Sequence, residues 1–189
     1  MIRIGILGDI GSGKSYVAKN FGYPVFNADF EVGKLYKKDK KIFNKIKKVL
    51  PKHVYSFPIN KNEVSNAILA NKSNLKKIVK IVHSEIRKKM NIFISKNKKK
   101  KIIVLDIPLL LENKINKKND ILVFVKSKKS DILSRLKKRK NFNPKLLNKF
   151  KNIQLPLDYK KKKSQFVIKN DFTKKSVKIG VRKIIKEIF

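Results

Sequence analysis

The stretch IRIGILGDIGSGKSYVAKNF, residues 2–21, decides the fold class. It opens with a short β-rich run, IRIGIL (2–7), and closes with helix formers in SYVAKNF (15–21), where Val17 and Phe21 fall one turn apart. Between them Gly8-Asp9-Ile10-Gly11-Ser12-Gly13-Lys14-Ser15 fits G-x-x-x-x-G-K-[ST]. Strand, glycine loop and helix together are the context in which that pattern forms a phosphate loop. Glycines let the backbone curl so that successive N–H groups point inward at phosphate oxygens, and the dipole of the following helix reinforces them. Lys14 is expected to reach the β and γ phosphates, and the Ser15 hydroxyl to bind Mg²⁺. Gly8, Gly11, Ser12, Gly13 and Tyr16 complete the expected nucleotide-binding set.

Outward from the loop, YPVF (23–26) reads as a brief second strand, because Pro24 can start a strand but not sit inside a helix. Asp29 follows it and should lie at the carboxyl edge of the sheet, where open α/β proteins bind their ligands. A hydroxyl attacking a γ-phosphate must lose a proton, and a carboxylate in reach can orient it and accept that proton. Asp29 is equally placed to cap a helix starting at Phe30, and the two roles are compatible. Residues 31–50 read as a helix ending before Pro51, and Lys61 to about Phe93 as a second, with Leu75, Val79, Val82, Ile86, Met90 and Phe93 three or four apart. The opening of IIVLDIPLLL (102–111) and DILVFV (120–125) are continuous apolar runs of the kind buried on both faces of a parallel sheet. A basic helix, 130–140, starts at a Ser130 cap; QFVIKN (165–170) supplies a fifth strand, and a helix at about 174–188 closes the chain. Strands alternating with helices predict an α/β fold with a parallel five-stranded sheet. With no internal repeat and no Gly/Ser linker, residues 1–189 are expected to form one domain.

Asp106 ends the third strand, where it can meet Mg²⁺ directly or through water, or serve structurally by bonding the phosphate loop. Arg135 and Arg139 lie four apart on one helical face, placed either to close over ATP and offset charge in transfer or to form a solvated basic face. A phosphate loop alone leaves GTPases, ATPases and kinases open. The nearest approach to the guanine motif N-K-x-D, Asn116-Lys117-Lys118-Asn119-Asp120, is misspaced by one residue, so guanine specificity is unsupported. Many motor and helicase ATPases need longer chains to couple hydrolysis to movement, whereas 189 residues with a helical insertion suit a small-molecule kinase.

Fifty Lys and Arg against 13 Asp and Glu give a net charge of +37, which taken alone points to a polyanionic partner. Lysine is spread through every region, however, together with Asn and Ile, all encoded by AT-rich codons, so compositional drift accounts for much of the excess. Runs such as KNKKKK (96–101) and YKKKK (159–163) read as solvated faces, and weak, salt-sensitive adhesion to RNA follows under either explanation. The absence of cysteine excludes disulfides, thiolate zinc sites and thiol nucleophiles, and suits a reducing cytosol. No signal-peptide pattern opens the chain and no apolar run approaches a membrane span, so a cytoplasmic protein without a membrane partner is expected.

Taken in order, several segments resemble the dephospho-CoA kinase family. IGILGDIGSGKSYVAKNF is followed by YPVFNADF against the family's V-P-V-x-D-A-D, INKNEV against L-D-R-x-x-L and IVHSEIR against I-x-H-P-x-I-R. VLDIPLLLE then aligns against V-x-D-x-P-L-L-F-E, and FVIKN against the closing V-I-x-N. The resemblance implies a nucleotide-kinase-like P-loop core, a helical CoA-substrate region around residues 55–100 and a lid around 138–155. It implies ATP and Mg²⁺, transfer of phosphate to the ribose 3′-hydroxyl of dephospho-CoA to give coenzyme A and ADP, and a phosphoryl-acceptor role at Asp29. It also puts His83 and Arg87 near the acceptor, where the arginine can pair with phosphates. Pro108, Leu109 and Glu112 then shape the acceptor pocket, and Asn170 falls near the adenine end of the ATP site. From the residues alone His83 is an ordinary partly buried helix histidine, and His53 has no assigned role.

The chain departs from the pattern at named positions. Asn27 replaces the first Asp of D-A-D, Leu7 a Thr, Ser84 a Pro, and Asn60-Lys61 an Asp-Arg pair. In the lid segment KFKNIQ, Phe150 stands at the arginine position, flanked by Lys149 and Lys151, whose point charges lack the guanidinium fork. The alternatives to a dephospho-CoA kinase are another nucleoside or nucleotide kinase and an RNA-associated P-loop ATPase. No specific nucleic-acid partner is expected, and the chain is expected to be a monomer or weak homo-oligomer.

Overall fold

In the computed structural model, which describes residues 1–140 and 142–189, the glycine-loop strand lies at the centre of a five-stranded parallel sheet. This strand, β1 (Ile2–Gly8), pairs on one side with β3 (Ile102–Asp106) and on the other with β4 (Ile121–Lys126). The short β2 (Val25–Asn27) and β5 (Phe166–Lys169) form the edges, giving the order β2-β3-β1-β4-β5. Parallel neighbours need crossovers, and helices supply them. All five residues of β3 are buried, as a strand covered on both faces must be.

On one face α1 (Lys14–Asn20) and α9 (Lys174–Ile188) lay Val17, Ala18, Phe21, Val177, Val181 and Ile184 over Ile4, Ile6, Ile102, Val104, Val123 and Val125. Each such Val, Ile or Phe side chain, fully buried, contributes about 1.5–3 kcal/mol over an exposed one. On the other face Leu110 and Leu122 press directly on Gly5, where an added Cβ would lie 2.5 Å and 2.9 Å from their Cδ2 atoms. At the amino end of the sheet the buried Arg3 grips Asp120 with Nε–Oδ1 and Nη2–Oδ2 distances of 3.0 Å. The Asp120 carboxylate also accepts from the Lys117 N–H, so the residue nearest to a guanine motif is spent on the scaffold.

The chain divides into two compact units. The first, residues 1–27, 97–142 and 153–189, holds the sheet with α1, α6 (Lys129–Lys137), α8 (Leu157–Lys162) and α9. The second, residues 28–96 and 143–152, holds α2 (Ala28–Lys38), α3 (Lys40–Val49), α4 (Lys61–Ala70), α5 (Lys72–Lys96) and α7 (Pro144–Lys151). Its buried side chains include Leu35, Ile42, Ile46, Ala67, Ile68, Leu75, Ile78, Val82 and Ile86.

The expected helix over 31–50 is two helices. The break is at Asp39, whose carboxylate accepts the Ile42 N–H at 3.0 Å. The run from Lys61 is likewise interrupted at Asn71, whose side chain accepts from Ser73 N at 2.8 Å. In both cases a short polar side chain competes for backbone N–H groups and turns the chain, while the apolar spacing continues because both halves bury the same core. Ser130 is not a cap: α6 begins earlier, from Lys128, and the Ser130 hydroxyl donates to Asp131 instead. Asp29 is not a cap either, because α2 starts at Ala28 and includes Asp29 in its first turn. Among the described residues no helix is long and apolar enough to cross a membrane.

Candidate active site

At the carboxyl end of β1 the backbone turns through positive φ at Gly8 (144°), Gly11 (85°) and Gly13 (89°) before α1 begins at Lys14. Space demands glycine as well as conformation. A Cβ on Gly8 would sit 2.7 Å from the Val125 carbonyl oxygen, and one on Gly13 would sit 2.4 Å from Asn170 Nδ2. The curl is tied down at Ser12, whose carbonyl accepts from Asn170 Nδ2 at 2.8 Å and from the Ser127 hydroxyl at 3.1 Å. Lys14 folds back across the loop, its ammonium donating to the carbonyls of Asp9 (2.7 Å) and Gly8 (3.2 Å). The Ser12 hydroxyl is buried in the loop without a hydrogen-bond partner among the described residues. Tyr16 is exposed.

Beside this loop, β2 and β3 end in register, with Asn27 opposite Asp106. The Asn27 amide donates to the buried Asp106 carboxylate and lies 3.5 Å from the Ser15 hydroxyl. Ser15, Asn27 and Asp106 thus converge at the carboxyl edge of the sheet. Their oxygens are the hard donors that Mg²⁺ prefers, and a site with so few protein ligands suits an ion that keeps waters and substrate phosphates in its shell. Among the described residues no group of three His, Cys, Asp or Glu side chains offers an all-protein metal cage. Ser15 and Asp106 are the two residues that the sequence reading expects at a metal. Asn27 is not among those expected residues, although its place in the D-A-D segment marks it.

On the β4–β5 side the same loop meets Asn170, buried, and Phe172, whose ring lies 4.4 Å below the Arg135 guanidinium. Arg135 is exposed on α6; Arg139 is exposed in the turn that follows. Pro108 and Leu109, half-buried, follow β3 at the carboxyl edge. Glu112 is held within the first unit: its Oε1 lies 2.6 Å from the fully buried Lys160 ammonium and accepts the Leu155 N–H at 3.0 Å. Breaking such a pair from one side costs about 3–5 kcal/mol, so a change at Glu112 acts first on folding.

The second unit carries Asp29, His83 and Arg87. Asp29 is exposed, and His83 is half-buried on α5 with Arg87 one turn further along. Burial, and then the Arg87 charge, lower the His83 pKa below its ordinary 6.5, which keeps the imidazole neutral at pH 7. His53 lines a cavity of about 470 Å³ with Lys52, Asn71, Asn74 and Lys77. Of the expected lid, residues 143–152 belong to this unit and residue 141 lies outside the described residues. Lys149 donates to the carbonyls of Ile68 (2.8 Å) and Leu69 (2.9 Å) at the end of α4, while Phe150 is half-buried and Lys151 exposed.

Residues 2–176 match the family model for dephospho-CoA kinase. The chain belongs to the dephospho-CoA kinase family. It is 37% identical over 187 residues to the dephospho-CoA kinase of Wolbachia pipientis wMel, covering 96% of this chain and 95% of that one. To the dephospho-CoA kinase of Wolbachia sp. subsp. Brugia malayi (strain TRS) it is 35% identical over the same shares. The crystal structure of TT1252 from Thermus thermophilus superposes with a TM-score of 0.80 at 23% identity, covering 100% of this chain and 98% of that one, a likeness of fold. The protein is therefore an ATP-using kinase of coenzyme A biosynthesis. In dephospho-CoA kinase terms, the first unit supplies the nucleotide loop and the Ser15–Asn27–Asp106 group, and the second carries Asp29, His83 and Arg87.

Proposed function

We propose that this dephospho-CoA kinase transfers the γ-phosphoryl group of ATP in line to the ribose 3′-hydroxyl of dephospho-CoA, as one kinase domain built from both units. The observation that carries the reading is the glycine loop 8–15 with Ser15, Asn27 and Asp106 converging beside it, in a chain that matches the family from residue 2 to 176.

The backbone N–H groups of the loop cradle the phosphates, and the Lys14 ammonium exchanges its loop carbonyls for β and γ oxygens. Ser15 and Asp106 would hold Mg²⁺, which when bound neutralises charge on those oxygens. Asp29 orients the acceptor hydroxyl and takes its proton as the new P–O bond forms. Arg87 pairs with acceptor phosphates, and His83, neutral, offers a hydrogen bond there without adding charge. Pro108 and Leu109 line the acceptor side, and Glu112 contributes by holding the segment around Leu155. Arg135 and Arg139 close over the nucleotide from α6 and its following turn, offsetting charge in transfer. The cytoplasm, where ATP is supplied, is the proposed compartment, and the protein works as a monomer or weak homo-oligomer.

The test is an acceptor panel. With ATP and Mg²⁺, ADP release should depend on dephospho-CoA and not on AMP, adenosine or RNA. Turnover with AMP or adenosine alone would move the assignment to another nucleotide kinase, and RNA-stimulated hydrolysis alone would make the +37 charge the functional feature.

A further inference from the structure

We infer that Asn27 is a positioning residue for the metal-binding edge: its uncharged amide braces Ser15 and Asp106 and makes metal binding depend on bound nucleotide. The inference rests on the ATP-dependent kinase reading and deepens it. The Asn27 amide nitrogen donates to Asp106 Oδ2 and lies 3.5 Å from the Ser15 hydroxyl, so one NH₂ group faces both residues proposed to hold Mg²⁺. Such a group has two donors and no lone pair to give a cation, so the contact orients the ligands instead of adding to them. Backbone register fixes its place, because Asn27 and Asp106 are the last partners of the β2–β3 ladder. From there the side chain reaches across the strand pair to Asp106 and over to Ser15 in the first turn of α1.

Burial gives the brace its weight. Asp106 is only 3% exposed, and a carboxylate taken out of water needs donors. The Asn27 amide supplies one before any ion arrives and sets the orientation of the carboxylate. Carboxylates that bind metals are held by such partners, and losing one costs about 10–100-fold in metal affinity. Charge supplies the second half of the inference. Of Ser15, Asn27 and Asp106 only the last is anionic, because this chain carries an amide where the family pattern has an aspartate. Cation affinity follows the charge count of the ligands, and Mg²⁺ is usually held by one or two carboxylates together with substrate phosphates. With one carboxylate at the edge, the remaining negative charge has to come with the nucleotide.

The experiment measures metal binding to the full chain, without acceptor, by electron paramagnetic resonance of Mn²⁺ and by calorimetry. The unaltered protein should bind ATP in EDTA, and should bind Mn²⁺ far more tightly with ATP than without it. Asn27→Ala, with its thermal midpoint as the check on folding, should keep its Kd for ATP in EDTA. Its ATP complex should bind Mn²⁺ about 10–100-fold more weakly than that of the unaltered protein. Asn27→Asp adds a carboxylate at nearly constant size and should bind Mn²⁺ without nucleotide at least about tenfold more tightly than the unaltered chain does. Mn²⁺ affinities unchanged in both variants, or an equal loss of metal-free ATP binding in Asn27→Ala, would overturn the brace. Binding of Mn²⁺ to the unaltered chain as tight without ATP as with it would overturn the dependence on nucleotide. Failure of the unaltered chain to bind ATP under either condition would defeat the kinase reading, and this inference with it.

Discussion

Asp29 acts on the acceptor and Lys14 on the donor in the proposed reaction, so their substitutions should separate. Asp29→Asn is expected to lower kcat by about 10²–10⁴-fold while the Kd for ATP, read by calorimetry, stays near that of the unaltered protein. Equal loss in both would mean that Asp29 supports the first turn of α2 rather than the chemistry. His83 yields a pH prediction. Its folded pKa lies below the unfolded value near 6.5, so between the two the unfolded chain binds more protons. Its contribution is therefore full above pH 6.5 and is lost as pH falls through that window. His83→Gln should flatten this part of the stability profile in denaturant titrations, and the imidazole C2–H resonance should titrate below pH 6.5. A midpoint above 6.5 would contradict the neutral imidazole assigned to the acceptor site.

At the scale of elements, Lys149 couples α7 to α4. Its two bonds end on carbonyls that an isolated helix leaves without partners, and a cation there also meets the negative end of the helix dipole. Lys149→Met should cost about 1 kcal/mol, discounted for partial exposure, and lower Tm by about 2–4 °C. An unchanged Tm in calorimetry would show the contact to be idle. The same geometry spends the Lys149 charge on the scaffold, so this lysine does not supply the fork of the family arginine whose position Phe150 takes.

The five strands and the phosphate loop were legible in the sequence because continuous apolar runs and a glycine pattern are local signals. The breaks at Asp39 and Asn71 were not, since apolar spacing runs through them and only the side-chain-to-backbone bonds reveal the turn. α7 and α8 are short, basic and poor in buried positions, so periodicity had little to register. Among the residues gathered at the candidate site, Lys14, Ser15 and Asp106 stand out in the motif and at the strand end. The placement of Asn27 depends on the register that sets it opposite Asp106, which a sequence pattern does not carry.

For the whole molecule, the net charge of +37 and the kinase site make separate demands. The charge implies RNA adhesion that weakens steeply with salt, whereas phosphoryl transfer to a small acceptor should be indifferent to added RNA at physiological salt. The proposed reaction assigns phosphate binding to the backbone at the carboxyl ends of the strands in the first unit, and acceptor binding to Asp29, His83 and Arg87 of the second. The most direct test of that division follows dephospho-CoA by mass through incubation with ATP and Mg²⁺, for the unaltered chain and for Lys14→Ala. The account predicts that dephospho-CoA gains one phosphoryl group to become coenzyme A, with matching ADP, and that Lys14→Ala slows this by at least about 10²-fold. Unchanged dephospho-CoA beside active ATP hydrolysis, or full conversion by Lys14→Ala, would contradict it.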